Sequence, residues 1–295
     1  MSAKGSMSVT SRLGERLEIE HIGQRRPWAL SLFRGLLGPI LSRVFRPKLE
    51  GWDQLPEDRP FMIVSNHSGT GATEVLCLAW LWIERFGASR SVAGMAHPLV
   101  FYVPVAGGVM RSIGAIPSTY RHAREVFDRG IGLIIFPGGD HEAFRPIWEA
   151  RRVDLAGRVG FLKLAREAGV PIIPLGIVGS HYATPILWRS RVLPWIALIP
   201  GLIGLKRLPV TVYLIAGLVA IPLLTAPTLG PWWSVALAWL WINFLPMYFL
   251  PVLPWTIRGR LGAPMEPEAL FGADKDLKAS YDQVQSAIQG LVDAQ

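Results

Sequence analysis

One cysteine, Cys77, is all the sequence contains, so no internal disulfide and no cysteine-built metal cluster can form. Cys77 lies in the apolar run VLCLAWLW, where a small core residue is the default reading over a nucleophile. No G-x-S-x-G nucleophile elbow occurs, which removes the usual serine-esterase arrangement. Zinc-ligand pairs, RNA-binding aromatic motifs and long basic runs are missing as well, which makes nucleic acid the weakest class of partner. The segment MSAKGSMSVTSRLGERLEIEH has no apolar stretch of signal-peptide type, and chemistry on the cytoplasmic side is expected. Internal repeats and low-complexity tracts are also absent. The most extended absence is of charge: from Leu208 to Ile257 about fifty consecutive residues carry none.

What is present is apolar and basic. Hydrophobic residues make up 51% of the 295, with a mean hydropathy of +0.32, more than a soluble enzyme usually carries. The length allows one large domain or two modest ones. The formal net charge is +8, mostly from arginine, and suits nucleic acid, an anionic membrane surface or an anionic substrate. A membrane together with an anionic ligand fits both numbers.

Along the chain, residues 1 to about 26 read as a poorly ordered tail. From Trp28 to Phe45 the apolar residues Phe33, Leu36, Leu37, Ile40, Leu41 and Val44 follow helical spacing, with Pro27 at the start and Pro39 expected to kink the segment. This helix is interfacial or docks on the core; the spacing allows both. Strands are predicted in FMIVSNH, IGLIIFPGG and VPIIPLGIVGS. Helices closed by Gly130 and Gly169 are predicted in AREVFDRG and FLKLAREAG. Such alternation predicts an α/β fold with a largely parallel sheet flanked by helices and function at the carboxyl ends of the strands. The charge-free run is long enough for two passes of ~20 apolar residues, with TAPTLGP as the turn and Lys206, Arg207, Arg258 and Arg260 at its ends. The plainer reading makes LPVTVYLIAG another strand and the rest a buried flap. Trp232, Trp233, Trp239, Trp241 and Trp255 suit an interfacial belt. Leu277, Tyr281, Val284, Ile288 and Leu291 form the stripe of an amphipathic closing helix. The chain thus divides into a tail and interfacial helix (1–50), an α/β core (51–190), a hydrophobic membrane-associated segment (191–257) and a return to the core (258–295).

Two polar turns follow predicted strands. In NHSGTGATE a histidine after a buried strand precedes small residues and then a carboxylate, an arrangement suited to a general base with an orienting acid. On an unbroken helix His67 and Glu74 would be ~10 Å apart along the axis. The pair therefore requires a tight loop over Ser68–Gly71, which Gly69 and Gly71 permit. In FPGGDHEAFRP, Gly138 and Gly139 can aim backbone N–H groups into a site as an oxyanion hole needs, with Asp140, His141, Glu142 and Arg145 beside them. Arg111 is a candidate acceptor contact. His181, at the end of the third strand, reads as structural, and His97 and His122 have no catalytic partner in view.

The order NHSG…E, GAIPS, FPGGDHEAFRP, VPIIPLG resembles the four blocks of the glycerolipid acyltransferase superfamily over residues 60 to 182. The PGG-x-x-EA form resembles the branch with type 2 diacylglycerol acyltransferases and bacterial glycerol acyltransferases. The resemblance implies direct attack of an acceptor hydroxyl on an acyl-CoA or acyl-carrier-protein thioester, with His67 as base and Glu74 as its acid. The partners implied are that donor, a glycerolipid acceptor and a membrane. No metal or organic cofactor is required, because the thioester is already activated. Here six residues separate His67 from its acid where the family commonly has four, and the acid is Glu. Tyr120 and His141 stand at registers where the family places phosphate-binding arginines, with Arg121 one step on. From this a neutral acylglycerol is expected to be at least as good an acceptor as lysophosphatidate, unless Arg111, Arg121 or Arg145 reaches the phosphate. The resemblance gives Glu142 a bracing role. Two rivals remain: a lipid esterase, against which the missing elbow counts, and an inactive lipid-binding membrane protein on the same fold, against which the joint presence of His67, Glu74 and Gly-Gly counts.

Overall fold

The computed structural model describes residues 9–295 except 19–21, 24, 71, 199–200, 202–206, 245–247, 249–250, 252 and 273–275. Strands β1 (Lys48–Glu50), β2 (Met62–Ser65), β3 (Val92–Ala96), β4 (Ala115–Pro117), β5 (Gly132–Ile135), β6 (Ile172–Val178) and β9 (Arg258–Leu261) form one sheet in the order β1-β9-β6-β2-β5-β3-β4. Every pairing is parallel except that of β6 with β9. The three predicted strands are β2, β5 and β6, side by side at the centre of this sheet.

Both faces of the sheet are covered, which is why its central strands are apolar throughout rather than alternating. Successive side chains still point to opposite faces. Met62, Val64, Leu133 and Ile135 face a core closed by helices Tyr120–Asp128, Gly160–Ala168 and Leu277–Asp293. Ile63, Ile173, Leu175 and Ile177 face a second core built with Trp80, Trp82 and Ile83 of helix Ala72–Phe86 and with Phe33 and Leu41. Burying one such side chain contributes about 1.5–3 kcal/mol, so the two layers hold the strand ends rigidly.

The segment expected to kink at Pro39 is a helix Pro27–Leu32, a π turn Phe33–Leu37 and a helix Gly38–Val44. The widened turn lies just before Pro39, where the ring crowds the preceding turn and no N–H can be donated. Phe33 and Leu41 dock on the core, the second of the two roles that the spacing allowed, while Trp28, Leu36 and Ile40 are exposed. The tail is more ordered than expected. Val9–Glu15 is helical, Ile22 is fully buried in the core, and Leu17 O accepts from Arg121 and His122. Residues 1–8 lie outside the described residues.

Leu208–Thr211 is a strand, β8, paired antiparallel with β7 (Ile186–Ser190) in a separate two-stranded sheet. Helix Val212–Leu229 follows directly, started by Thr211 Oγ1 accepting the Leu214 N–H at 3.2 Å, and helix Pro231–Asn243 packs against it. The turn expected in TAPTLGP is instead helix as far as Leu229, and the chain reverses at Gly230, whose φ is +80°. Pro222 and Pro227 sit inside the helix. Among the described residues Val212–Leu229 is the one helix long and apolar enough to cross a membrane. Lys206, expected to flank the run, lies outside the described residues.

Candidate active site

The site begins where β2 ends. Asn66 extends the ladder to β6 with its side chain, its amide donating to Ile177 O at 2.9 Å and accepting from Ile177 N at 2.8 Å. That clamp fixes the start of the loop that follows. Gly69 (φ +72°) and Thr70 (φ +50°) then turn the backbone left-handed. A Cβ at Gly69 would come within 2.6 Å of the Ser180–His181 backbone, so no other residue fits there. A β-branched residue at positive φ is strained by about 1–3 kcal/mol, and Thr70 is held by its N–H to Ala143 O at 2.9 Å. Gly71, the second glycine assigned to this loop, lies outside the described residues.

The loop delivers Glu74 on the first turn of helix Ala72–Phe86, facing back to the histidine. His67 Nδ1 and Glu74 Oε1 are 3.1 Å apart, and Ser68 N donates to the same oxygen at 3.0 Å. Glu74 is fully buried, and the His67 side chain is 15% exposed. A carboxylate acceptor at Nδ1 puts the ring proton there and leaves Nε2 free to take a proton. Phe136 stacks on the ring at 4.4 Å between centroids and fixes its plane.

The second turn, after β5, emerges beside the first because β5 pairs with β2. Glu142, fully buried, accepts from His67 N at 2.9 Å and from Asp154 N at 3.0 Å. Burial pushes its carboxyl above the usual range, against the pull of Arg145 and of these N–H donors. Arg145, 1% exposed, donates to His67 O at 2.9 Å and lies 3.5 Å from Glu142. Burial lowers its pKa. Glu142 and Arg145 therefore grip the backbone of His67 from both sides, and neither lies in the opening. Gly138 is where a Cβ would run into Glu142, so this glycine makes room for the brace. Gly139 N–H, expected to face an oxyanion, is spent on Phe136 O at 3.1 Å in the turn itself.

The other expected substrate contacts are engaged elsewhere. Arg111 donates to Phe101 O at 2.9 Å and lies over the Phe101 ring. Arg121 is bound to Glu15 and to the backbone of Glu15 and Leu17. His181 is fully buried, with Nδ1 3.2 Å from Ser68 Oγ, and burial with the nearby Arg145 and His67 charges lowers its pKa well below the usual histidine range. It supports the loop from beneath, in line with its structural reading. Cys77 is buried and its thiol is pushed up to about 12 by burial and by Glu74, which fits a core residue and not a nucleophile.

Three features escaped the sequence reading. Asp154 joins the brace: its N–H serves Glu142, and its carboxylate faces His141 Nε2 at 2.9 Å. Burial works against the Asp154 charge, yet the bonds from His141 and Ala156 N–H hold its pKa below the usual carboxylate range. Arg189 and Arg207 both reach the other face of His141. An apolar cavity runs between helix Ala72–Phe86 and the sheet, from Phe136 beside His67 past Leu78 and Met95 to Trp82. Arg25 closes it there, donating to Gly87 O and Arg90 O, with its pKa lowered by burial to about 10. Among the described residues no group of His, Cys, Asp and Glu is arranged to hold a metal ion.

Comparison with known proteins agrees with the four-block resemblance. Residues 46–178 match the family model described as Acyltransferase. An uncharacterized protein of Mycobacterium tuberculosis is 26% identical over 203 residues, 69% of this chain and 55% of that protein. Human 2-acylglycerol O-acyltransferase 3 is 27% identical over 142 residues, 45% of this chain and 41% of that protein. The chain spans about half the length of the curated relatives it matches. Among solved structures, the 1-acyl-sn-glycerophosphate acyltransferase of Thermotoga maritima aligns with a TM-score of 0.49 and 17% identity, over 89% of this chain and 79% of that one.

Proposed function

We propose that this protein transfers a fatty acyl group from an acyl-CoA or acyl-carrier-protein thioester to a hydroxyl of a glycerolipid, with His67 as general base and without a metal or organic cofactor. The observation that carries the reading is the His67–Glu74 pair, a histidine held by a fully buried carboxylate at 3.1 Å beside an apolar cavity. His67 Nε2 takes the proton of the acceptor hydroxyl as its oxygen bonds to the thioester carbonyl carbon. The tetrahedral intermediate then collapses, the carbon–sulfur bond breaks, and the imidazolium returns the proton to the departing thiolate. Glu74 holds the Nδ1 proton and stabilises the cation formed between these steps. The apolar cavity ending at Phe136 suits a fatty acyl chain, since its thioester end would then lie at the His67 ring.

The membrane supplies the acceptor. Trp195, Trp232 and Trp233 are 80%, 86% and 69% exposed on and beside the helical hairpin, more apolar surface than water tolerates on a monomer without a purpose. Their amphipathic rings suit the lipid headgroup level, and the basic balance favours an anionic leaflet such as the cytoplasmic one. The test is purified protein with labelled acyl-CoA and a panel of lysophospholipids, mono- and diacylglycerols. Acylated product is expected with wild type, and at least ~10²-fold less with His67→Ala. Equal turnover by the folded variant would move the catalytic centre elsewhere.

A further inference from the structure

The register at which an arginine is missing, His141, is where two arginines from outside the matched domain converge. Arg189 lies in β7 and Arg207 directly precedes β8. Arg189 Nη1 is 3.1 Å from His141 Nδ1 and donates to His141 O at 2.5 Å, while Arg207 Nη1 is 2.8 Å from the same Nδ1. A guanidinium only donates, so Nδ1 accepts from both, and the ring proton sits on Nε2 facing Asp154 at 2.9 Å. Two permanent cations thus share one neutral acceptor.

Arg59, Arg121, Arg124, Arg129, Arg158 and Arg260 each lie within ion-pair distance of a carboxylate, and Arg25, Arg111 and Arg151 donate to backbone carbonyls. Among the described residues neither Arg189 nor Arg207 forms an ion pair, and Asp154, on the far side of the imidazole, is taken up by His141 and the Ala156 N–H. Like charges drawn together on one uncharged nitrogen form a site that gains from an anion with several oxygens, because each planar fork can then donate in parallel. Both side chains are half-buried, hence approachable. The cluster is linked to the site through one turn: His141 precedes Glu142, which accepts from the His67 N–H at 2.9 Å.

We propose that Arg189 and Arg207, with His141 as their resting partner, bind a phosphate group of a substrate. This rests on the acyl-transfer reading of the site; an acceptor phosphate held here would reverse the expectation of a neutral acceptor drawn from Tyr120 and His141, and a donor phosphate would leave it standing. The shared chemistry is a phosphate ester, carried by the acceptor headgroup or by the coenzyme A donor. The experiment uses the full chain with matched pairs: lysophosphatidate against monoacylglycerol of the same chain, and acyl-CoA against the corresponding acyl-pantetheine. The readout is the ratio of kcat/KM within each pair for wild type and for Arg189→Gln/Arg207→Gln.

A fall of tenfold or more in the first ratio puts the acceptor phosphate on the arginines, and the same fall in the second puts the donor phosphate there. Arg189→Lys/Arg207→Lys should recover only part of the loss, because the fork is missing. Both ratios unchanged in a folded double variant would overturn the proposal and leave a clamp between hairpin and domain, which lowers both members of a pair alike. Arg207→Gln alone carries the comparison if the double variant does not fold. Equilibrium binding of glycerol 3-phosphate and of coenzyme A separates this idea from the reaction. Saturable binding of either to wild type, weakened tenfold in the variant, supports the site even if no acyl transfer is found. Absence of binding by both, with unchanged ratios, removes the site while leaving acyl transfer standing.

Discussion

Glu74→Gln separates charge from shape in the proposed catalytic pair. The carboxylate is fully buried, and its Oε1 accepts from His67 Nδ1 at 3.1 Å and Ser68 N at 3.0 Å. A glutamine whose amide oxygen occupies the Oε1 position keeps both acceptor contacts, so ring and loop stay in place while the negative charge is lost. That charge matters once His67 has taken the acceptor proton. At about 4 Å between charge centres and an effective dielectric of about 20, the attraction is about 4 kcal/mol. At 1.36 kcal/mol per decade this is a ceiling of about a thousandfold in rate. The amide dipole recovers part of it, so a loss of about 10²-fold in kcat is expected, with KM changed by less than about threefold. Initial rates of labelled-acyl incorporation at saturating donor measure it, with circular dichroism to verify folding. A kcat within threefold of wild type, alongside an inactive His67→Ala, would refute the reasoning. Loss of transfer in a folded Glu142→Gln with Glu74→Gln silent would assign the acid to Glu142.

Glu142→Ala should lower the free energy of unfolding by about 3–5 kcal/mol, since it leaves the Arg145 charge buried and uncompensated; chemical denaturation giving a loss under about 1 kcal/mol would contradict the brace. His181, held neutral by burial in the folded state, titrates near its ordinary value when unfolded, so its contribution is present above pH 6.5 and lost as pH falls. Below that pH stability should drop by up to about 1.4 kcal/mol per unit from this residue. His122, also buried and lowered chiefly by that burial, adds in the same direction. Thermal melts between pH 7 and 5 should be flatter for His181→Asn, and an unchanged slope would show that the residue is solvated. Trp195→Ser/Trp232→Ser/Trp233→Ser should weaken partition onto anionic vesicles by about tenfold or more, at about 1.5–3 kcal/mol per buried apolar side chain. Undiminished co-sedimentation would transfer the anchor to Trp28, Leu36 and Ile40.

The parts legible in the sequence are those fixed by local periodicity and turn chemistry. Apolar runs with glycine stops located β2, β5 and β6 and the helices ending at Gly130 and Gly169, because those signals need only a few neighbours. The contact of His67 with Glu74 was readable as a condition, a tight loop over Ser68–Gly71, and the left-handed Gly69 and Thr70 meet it. What was not readable depends on distant partners. Nothing local distinguishes Arg145, which ends in the core 78 residues from the His67 carbonyl it serves, from an arginine lining the opening. Gly139 looked like an oxyanion donor because a Pro-Gly-Gly turn frees some N–H groups and spends others. The helix through Pro227 defeated the turn reading for a different reason: a proline removes one helical hydrogen bond, and the packing of this helix against Pro231–Asn243 depends on a distant partner that no local signal reveals.

The position of Arg207 ties the proposed phosphate site to the apolar hairpin. It directly precedes β8, and β8 runs without a loop into helix Val212–Leu229, whose first turn is capped by Thr211. A lipid held there by its phosphate would have its glycerol beside the Glu142–His67 brace, and its apolar chain would follow a helix that is itself apolar on all sides. A charged headgroup and an apolar tail need such adjoining surfaces of opposite character, and the change occurs here between residues 207 and 212. The two-stranded sheet β7–β8 would then have a defined task, since it carries Arg189 and Arg207 to His141 from a segment the core cannot reach. Moving the hairpin should therefore move the phosphate site with it. Two glycines inserted between Arg207 and Leu208 are expected to lower the lysophosphatidate-to-monoacylglycerol ratio as Arg207→Gln does, with vesicle binding retained. A full ratio in that insertion variant would show that the arginine acts independently of the hairpin.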